Sequence, residues 1–386
     1  MRMLNAWTLE VDEPQLAIAE IKEQLDLANQ LQKHAAGFIT CSYDFVETGM
    51  VEAICQALPF AVVGCTTLSN GVNNQAVPML LCLSVLTADD CQFSTVLSEP
   101  LTGDLDSIVG QAWKSAQAGL DLAPGLVIPF MPLIATVGGE LILNALDNVA
   151  QIPVFGTIAC DHDTAQYSNT FTIYNGICSR DSMAMLVVAG NITPRFVVTS
   201  TSEQNLQKQK AIITSSHGSV MREVNNIPTH EYLKTLGFMP GPGGGVDALS
   251  SIPFVVDYQD GTQPVARAIY RLNEDGSAIC GGVMPEGSSL SIGRMDVPDI
   301  LFTAEQSLTK LIAHKDINGI IMFPCLGRNM ILGMEPLAEV EKVQEAIGNK
   351  LPWHLAYSGG EICPVYDESG ATFNRFHNFT FIACAI

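Results

Sequence analysis

Four times the chain places an apolar or small residue before a proline and follows the proline with a short apolar run, at 58–66, 152–157, 252–256 and 351–359. Three of these runs have the same upstream context. A first apolar strand, at 37–41, 125–129 or 319–323, leads into an amphipathic helix, then the proline, then the second strand. That succession is a β-α-β unit, and its right-handed crossover makes the two strands parallel. Ligands favour the carboxyl ends of such strands, so the repeat also says where function should be sought.

The helices carry the pattern. Met50, Val51, Ile54, Cys55 and Leu58 share one helical face, and Leu141, Ile142, Ala145, Leu146 and Val149 repeat the same spacing. Leu337, Val340, Val343, Ile347 and Leu351 form a looser third version. After each second strand a further run is expected to return antiparallel, at 77–86, at 170–173 with 183–189, and at 376–386. Around the units, the pattern predicts a strand at 7–11 and helices at 14–33, 105–118 and 297–314, with Pro14 and Pro298 in first turns. Thr229 is placed to cap a short helix. Asn273, Glu274, Asp275 and Gly276 read as a hairpin turn. The expected fold is therefore a mixed α/β (α+β) chain of two domains, 1–202 and 203–386. Mixed sheets would be built from repeated β-α-β-β units, joined by the polar stretch 202–210.

Charge removes several function classes. A net charge of −21 repels DNA, RNA and anionic lipid, so neither nucleic acid nor membrane is expected as a partner. The longest strongly apolar run, 77–86, is about half of a membrane span. The first residues contain no signal-peptide core. Eleven cysteines, without a C-x-x-C spacing and mostly inside apolar runs, fit buried thiols in a reducing compartment. The expected location is the cytoplasm.

No G-x-S-x-G, Walker or H-E-x-x-H signature is present, and Gly241 to Gly245 reads as a plain glycine loop. What remains are polar groups at strand ends. Cys325, Leu326, Gly327 and Arg328 follow one strand of the third unit; Ser358, Gly359, Gly360 and Glu361 follow its parallel neighbour. Arg328 offers a planar fork for a carboxylate. Glu361 could accept from an amine, and Tyr357 would supply an apolar wall. Equally, Arg328 and Glu361 could be an internal ion pair that orders two loops. His377 and Asn378 open the last strand, His377 reading either as a ligand contact or as a core histidine. Thr66 and Asp161 stand at the equivalent ends of the first two units. Asp161 with Asp163 has the spacing of a metal pair, against a simple polar turn; no metal is expected. Cys325 and Cys65 are the candidate thiol nucleophiles.

The chain resembles the FIST family, a bacterial sensory module with N-terminal and C-terminal parts. Asn5-Ala6-Trp7, Val63-Gly64-Cys65-Thr66-Thr67 and Val154-Phe155-Gly156-Thr157 resemble its N-terminal motifs, and Pro228-Thr229-His230-Glu231-Tyr232 its C-terminal opening. The most specific series is Phe323-Pro324-Cys325-Leu326-Gly327-Arg328, Tyr357-Ser358-Gly359-Gly360-Glu361-Ile362-Cys363-Pro364 and His377-Asn378-Phe379-Thr380. The resemblance implies signal transduction by small-ligand binding, with an amino acid or other small carboxylate as ligand and a separate signalling protein as output. It also raises haem as an alternative cofactor for nitric-oxide sensing, with His34, His162, His354 and His377 as nominal ligands. The second alternative is a thiol-dependent enzyme using Cys325 or Cys65. In the leading reading no cofactor is expected, and Arg328 with Glu361 clamps a zwitterion.

Overall fold

In the computed structural model, which describes every residue except 74, 78, 135–136, 164–167, 240–244, 247–248 and 315, the β-α-β unit occurs three times. The parallel pairs are His34–Cys41 with Ala61–Thr66, Pro124–Met131 with Gly156–Ile158, and Ile320–Met322 with Trp353–Ala356. Their crossover helices are Met50–Ala57, Gly139–Ala150 and Ala338–Ile347. Each pair is flanked by a returning antiparallel strand, Leu81–Ala88, Ala184–Ala189 or Phe381–Ala385, as the sequence predicts. An outer strand completes that side: Arg2–Thr8, Gln92–Leu97 or Arg195–Thr199. The architecture is mixed α/β, with mixed sheets.

The opposite edges are closed by exchange. The hairpin Thr172–Tyr174 and Ile177–Ser179, from the second unit, pairs with Ala61–Thr66 of the first. Glu361–Tyr366 and Thr372–His377, from the third, pair onto Gly156–Ile158 of the second. Asn70–Val72, from the first, pairs with Trp353–Ala356 of the third. Each unit thus covers the preceding unit's sheet edge, the first covering the third, and the exchange closes into a ring. Covering an edge in this way pairs the backbone groups that the second strand of each unit would otherwise leave open. The expected boundary at 202/203 therefore falls within shared sheets: strands on either side of it pair with one another.

Aromatic side chains fill the centre of the ring. Phe38, Phe130 and Phe323 come one from each unit, with centroid separations of 6.0 Å and 6.1 Å along the series, and Phe155 stacks on Phe323 at 5.3 Å. All are fully buried. Gly64 shows how tightly the parallel pair is set: a Cβ there would overlap the backbone of its register partner Ile39.

A fourth sheet interrupts the third unit. It lies between the strand Arg195–Thr199 and the helix Val297–Ile312, running from Ala211–His217 to Ser289–Ile292. Ile213, Met221, Phe254, Val256 and Leu290 give it its own core. The Pro253 run belongs to this insert and not to a fourth β-α-β unit. The insert's hairpin at Asn273–Gly276 forms as predicted. Two local expectations are corrected. The helix predicted over 14–33 stops at Leu25, because Asp26 is left-handed at φ 44°. Thr229 does not cap its helix; its hydroxyl donates to the Met221 carbonyl at 2.9 Å. Residues 241–244 of the glycine loop lie outside the described residues.

Candidate functional site

The carboxyl ends of the parallel strands converge, as their shared topology requires. Cys325 and Ser358 form a parallel bridge, so the two expected loops are neighbours. The second unit joins them: Gly359 N–H donates to the Ile158 carbonyl at 2.9 Å, and Cys160 N–H to the Thr66 carbonyl at 3.1 Å. The Thr67 hydroxyl donates to the Tyr357 carbonyl at 2.8 Å. Thr66, Asp161 and Gly359 thus belong to one junction of three units.

Above the third unit's end of this junction, the insert sheet leaves a cleft of about 510 Å³. Cys325, Gly327, Met330, Gly359, Asn378 and Phe379 form one wall; Leu249, Ala268, Ile269 and Tyr270 of the insert form the other, and Leu133 of the second unit closes it. The lining is mostly apolar with a few polar groups, the usual make-up of a small-molecule site. A second cleft, of about 650 Å³, shares Leu133, Tyr270 and Gly359 with the first. In it Glu140 faces Arg267 at 3.3 Å.

Glu361 is fully enclosed. Its Oε2 accepts from the Thr380 hydroxyl at 2.9 Å and the Thr380 N–H at 3.3 Å. Among the described residues no N–H or O–H donor reaches Oε1, and the Cys325 thiol beside the carboxyl is a weak donor to it. Burial pushes this carboxyl up to about 8, so it holds a proton at neutral pH. The Cys325 thiol is close enough that the two groups shift each other's proton affinity; burial first, then Glu361, pushes the thiol well above its ordinary range. Cys325 also caps the helix Leu326–Leu332, its Sγ accepting from Gly327 N–H at 3.4 Å.

Arg328 is not where a ligand clamp needs it. The side chain is fully buried, and Glu339 takes Nε at 2.9 Å and Nη2 at 2.6 Å. The Ser200 and Ile300 carbonyls and the Thr303 hydroxyl accept from the remaining donors. Its partner is Glu339, eleven residues on, and not Glu361. Tyr357 joins the same buried network through its hydroxyl, 3.0 Å from Glu339 Oε2, and does not line the cleft. Gly360 packs under the Phe376 ring, where a Cβ would clash.

The other candidates separate. Asn378 lines the cleft, its Oδ1 accepting from Ala268 N–H at 3.2 Å. His377 is enclosed, with Nε2 3.1 Å from the Cys363 carbonyl. Asp161 accepts from Asn169 N–H at 2.6 Å, while Asp163 accepts from the Ser168 hydroxyl. No cluster of metal-ligating side chains is present among the described residues. Cys65 is buried, with its thiol pushed well up, and does not line either cleft. The cleft residues absent from the sequence reading, Leu133, Ala268, Tyr270 and Met330, carry no motif; only the fold brings them to Cys325.

His354 and His377 provide a test by pH. Both are buried and held down to about 3, chiefly by desolvation, so the folded protein keeps them neutral. Unfolding restores their ordinary affinity of about 6.5. As pH falls from 6.5 towards 3, the unfolded chain takes up two protons that the native state refuses, and stability is lost. Glu361 acts oppositely between its ordinary 4.5 and about 8, because there the native state holds the extra proton. For these three groups stability should peak near pH 6.5. It should fall by about 1.4 kcal/mol per unit down to pH 4.5 and by about 2.7 kcal/mol per unit below that. Urea denaturation across this range should show the steepening, and His354→Gln should remove one proton's share of the slope. An unchanged slope in that variant would contradict the assignment.

Residues 35–227 match the FIST N domain and residues 222–364 the FIST C domain. No curated protein matches the chain. Among solved structures, a cyanuric acid hydrolase from A. caulinodans aligns over 100% of this chain and 99% of its own, at 8% identity and a TM-score of 0.33. A likeness that low bears on neither site nor activity.

Proposed function

The chain belongs to the FIST family, whose domains are sensory modules associated with small-ligand binding in signal transduction, and we propose that it senses one small molecule held in the 510 Å³ cleft between the insert sheet and the third β-α-β unit. The observation that carries this reading is the convergence on that cleft of Cys325, Gly327 and Gly359, which lie within the span that matches the FIST C domain, and of Asn378, which lies just beyond it. The apolar body of the ligand lies against Leu133, Ile269, Met330 and Phe379, and its polar end meets Cys325 and Asn378. An amino acid or small carboxylate would find no guanidinium here, since Arg328 is fully occupied by Glu339. Output passes to a separate signalling protein. The unpaired state of all eleven cysteines supports a reducing, cytoplasmic setting. Among the described residues no helix is long and apolar enough to cross a membrane.

Two other readings lose their residues. Haem needs an axial ligand in the cleft, but His354 is bound on both ring nitrogens by Thr40 and Ser84, and His377 faces the Cys363 carbonyl. No histidine is among the residues lining the 510 Å³ cleft. The described residues do not fit haem there. For thiol catalysis, burial holds Cys325 and Cys65 protonated, and the ring of His377 is engaged elsewhere.

A thermal-shift screen of small amines, alcohols, amino acids and carboxylates tests the proposal on wild type and on Leu133→Trp, which fills the cleft from its rim. At least one compound should raise the wild-type melting temperature, and Leu133→Trp should abolish the shift. Shifts of equal size in both proteins would refute the cleft.

A further inference from the structure

The chemistry of the cleft selects among ligands. Among the described residues no lysine or arginine lines it. The two buried guanidinium groups nearby are occupied, Arg328 by Glu339 and Arg267 by Glu140, Tyr258 and the Phe376 carbonyl. An anionic ligand would therefore sit in an apolar cleft without a counter-charge, on a protein of net charge −21. Opposed to this is one enclosed acceptor that no N–H or O–H donor among the described residues reaches, Oε1 of Glu361, beside which only the weakly donating Cys325 thiol lies. Buried polar atoms of this kind are uncommon, and each calls for a physical account. The carboxyl lies against the Cys325 thiol, and Cys325 is itself a cleft wall.

We propose that the cleft takes an organic amine, whose ammonium group reaches Glu361 Oε1 past the Cys325 thiol while its apolar body rests on Leu133, Ile269, Met330 and Phe379. This rests on the cleft being the ligand site. The step is a proton exchange without covalent change. Glu361 gives its proton to bulk water as the ammonium arrives, and a neutral acid becomes one half of a buried ion pair. The groups facing Glu361 are consistent with that. Thr380 holds Oε2 with two donors and so supports the ionised form, and Arg328 adds a favourable field. Cys325 remains a protonated thiol, and His377, paired in register with Glu361 on the neighbouring strand, remains neutral. Cys160 of the second unit also stays protonated. None of these competes with the ligand as a cation.

Because the free carboxyl titrates near 8 and an alkylamine stays protonated well above that, amine affinity should rise about tenfold per pH unit from pH 6 towards 8. A neutral ligand would show no such trend.

Four probes sharing one ring and chain decide the matter by calorimetry: 2-phenylethylamine, 2-phenylethanol, phenylalanine and 3-phenylpropionate. Wild type should bind the amine at least tenfold more tightly than the alcohol, and the propionate least. Glu361→Gln should lose that preference and the pH trend while still binding the alcohol. If the alcohol, phenylalanine or the propionate binds best, and Leu133→Trp abolishes that binding, the amine assignment is overturned and the cleft reading survives. If none of the four binds, or Leu133→Trp changes nothing, both fall. Should Glu361→Gln fail to fold, the wild-type pH profile decides: a flat profile for the amine overturns the proposal.

Discussion

Replacing Arg328 by alanine is expected to destabilise the protein by about 3–5 kcal/mol, the usual cost of removing one partner from a buried ion pair. Glu339 would be left fully enclosed, with only the Tyr357 hydroxyl, 3.0 Å from Oε2, to offset its charge. The Ser200 and Ile300 carbonyls and the Thr303 hydroxyl would lose a donor as well. These groups join the helix Val297–Ile312 to the helices Leu326–Leu332 and Ala338–Ile347, so the loss would loosen the wall that carries Cys325. Arg328→Lys should recover part of the stability, because an ammonium keeps the charge but not the planar fork. Urea denaturation measures both. Whatever fraction of Arg328→Ala folds should still bind a cleft ligand, weakened only modestly by the looser wall and the lost field at Glu361. A stable Arg328→Ala protein that no longer binds would restore Arg328 as a ligand clamp.

Residues 1–202 expressed alone should give no cooperatively melting product. In that fragment the strand Gly156–Ile158 loses its neighbour Glu361–Tyr366, and Asn70–Val72 loses Trp353–Ala356. The central cluster loses Phe323, Ile321 and Ile382, exposing Phe38, Phe130 and Phe155. At about 1.5–3 kcal/mol for each large apolar side chain, losing even a few of these contacts removes a stability of the usual 5–15 kcal/mol. Calorimetry and size-exclusion chromatography of the fragment are the measurements. A monodisperse fragment with a sharp melt would contradict the ring of exchanged strands.

The units were legible because their signal is local. Helical faces such as Met50 to Leu58, proline stops and apolar strands are set by spacing within one segment, and the parallel pairing of their strands follows from chain handedness. The neighbouring of the Cys325 and Ser358 loops followed from the same topology. The exchange of edge strands was not legible. Asn70–Val72 pairs about 280 residues away, with Trp353–Ala356, and nothing in a three-residue strand specifies its partner. Arg328 illustrates a related blind spot. The sequence reading paired it with Glu361, and the choice of Glu339 instead depends on where the helix Ala338–Ile347 packs. The far wall of the cleft was hidden for the same reason, since Ala268 and Tyr270 belong to a sheet inserted more than fifty residues before Cys325.

Hydrogen exchange, with and without the tightest-binding compound of the screen, tests the central claim most directly, because it reports where on the chain a ligand acts. Saturation should slow exchange in the helix Leu326–Leu332 and in the insert strand Ile269–Leu272, which line opposite sides of the cleft. The outer strand Arg2–Thr8 and its helix Pro14–Leu25 should be unchanged. Protection confined to those distant elements, or none at saturation, would contradict the assignment of the ligand to this cleft.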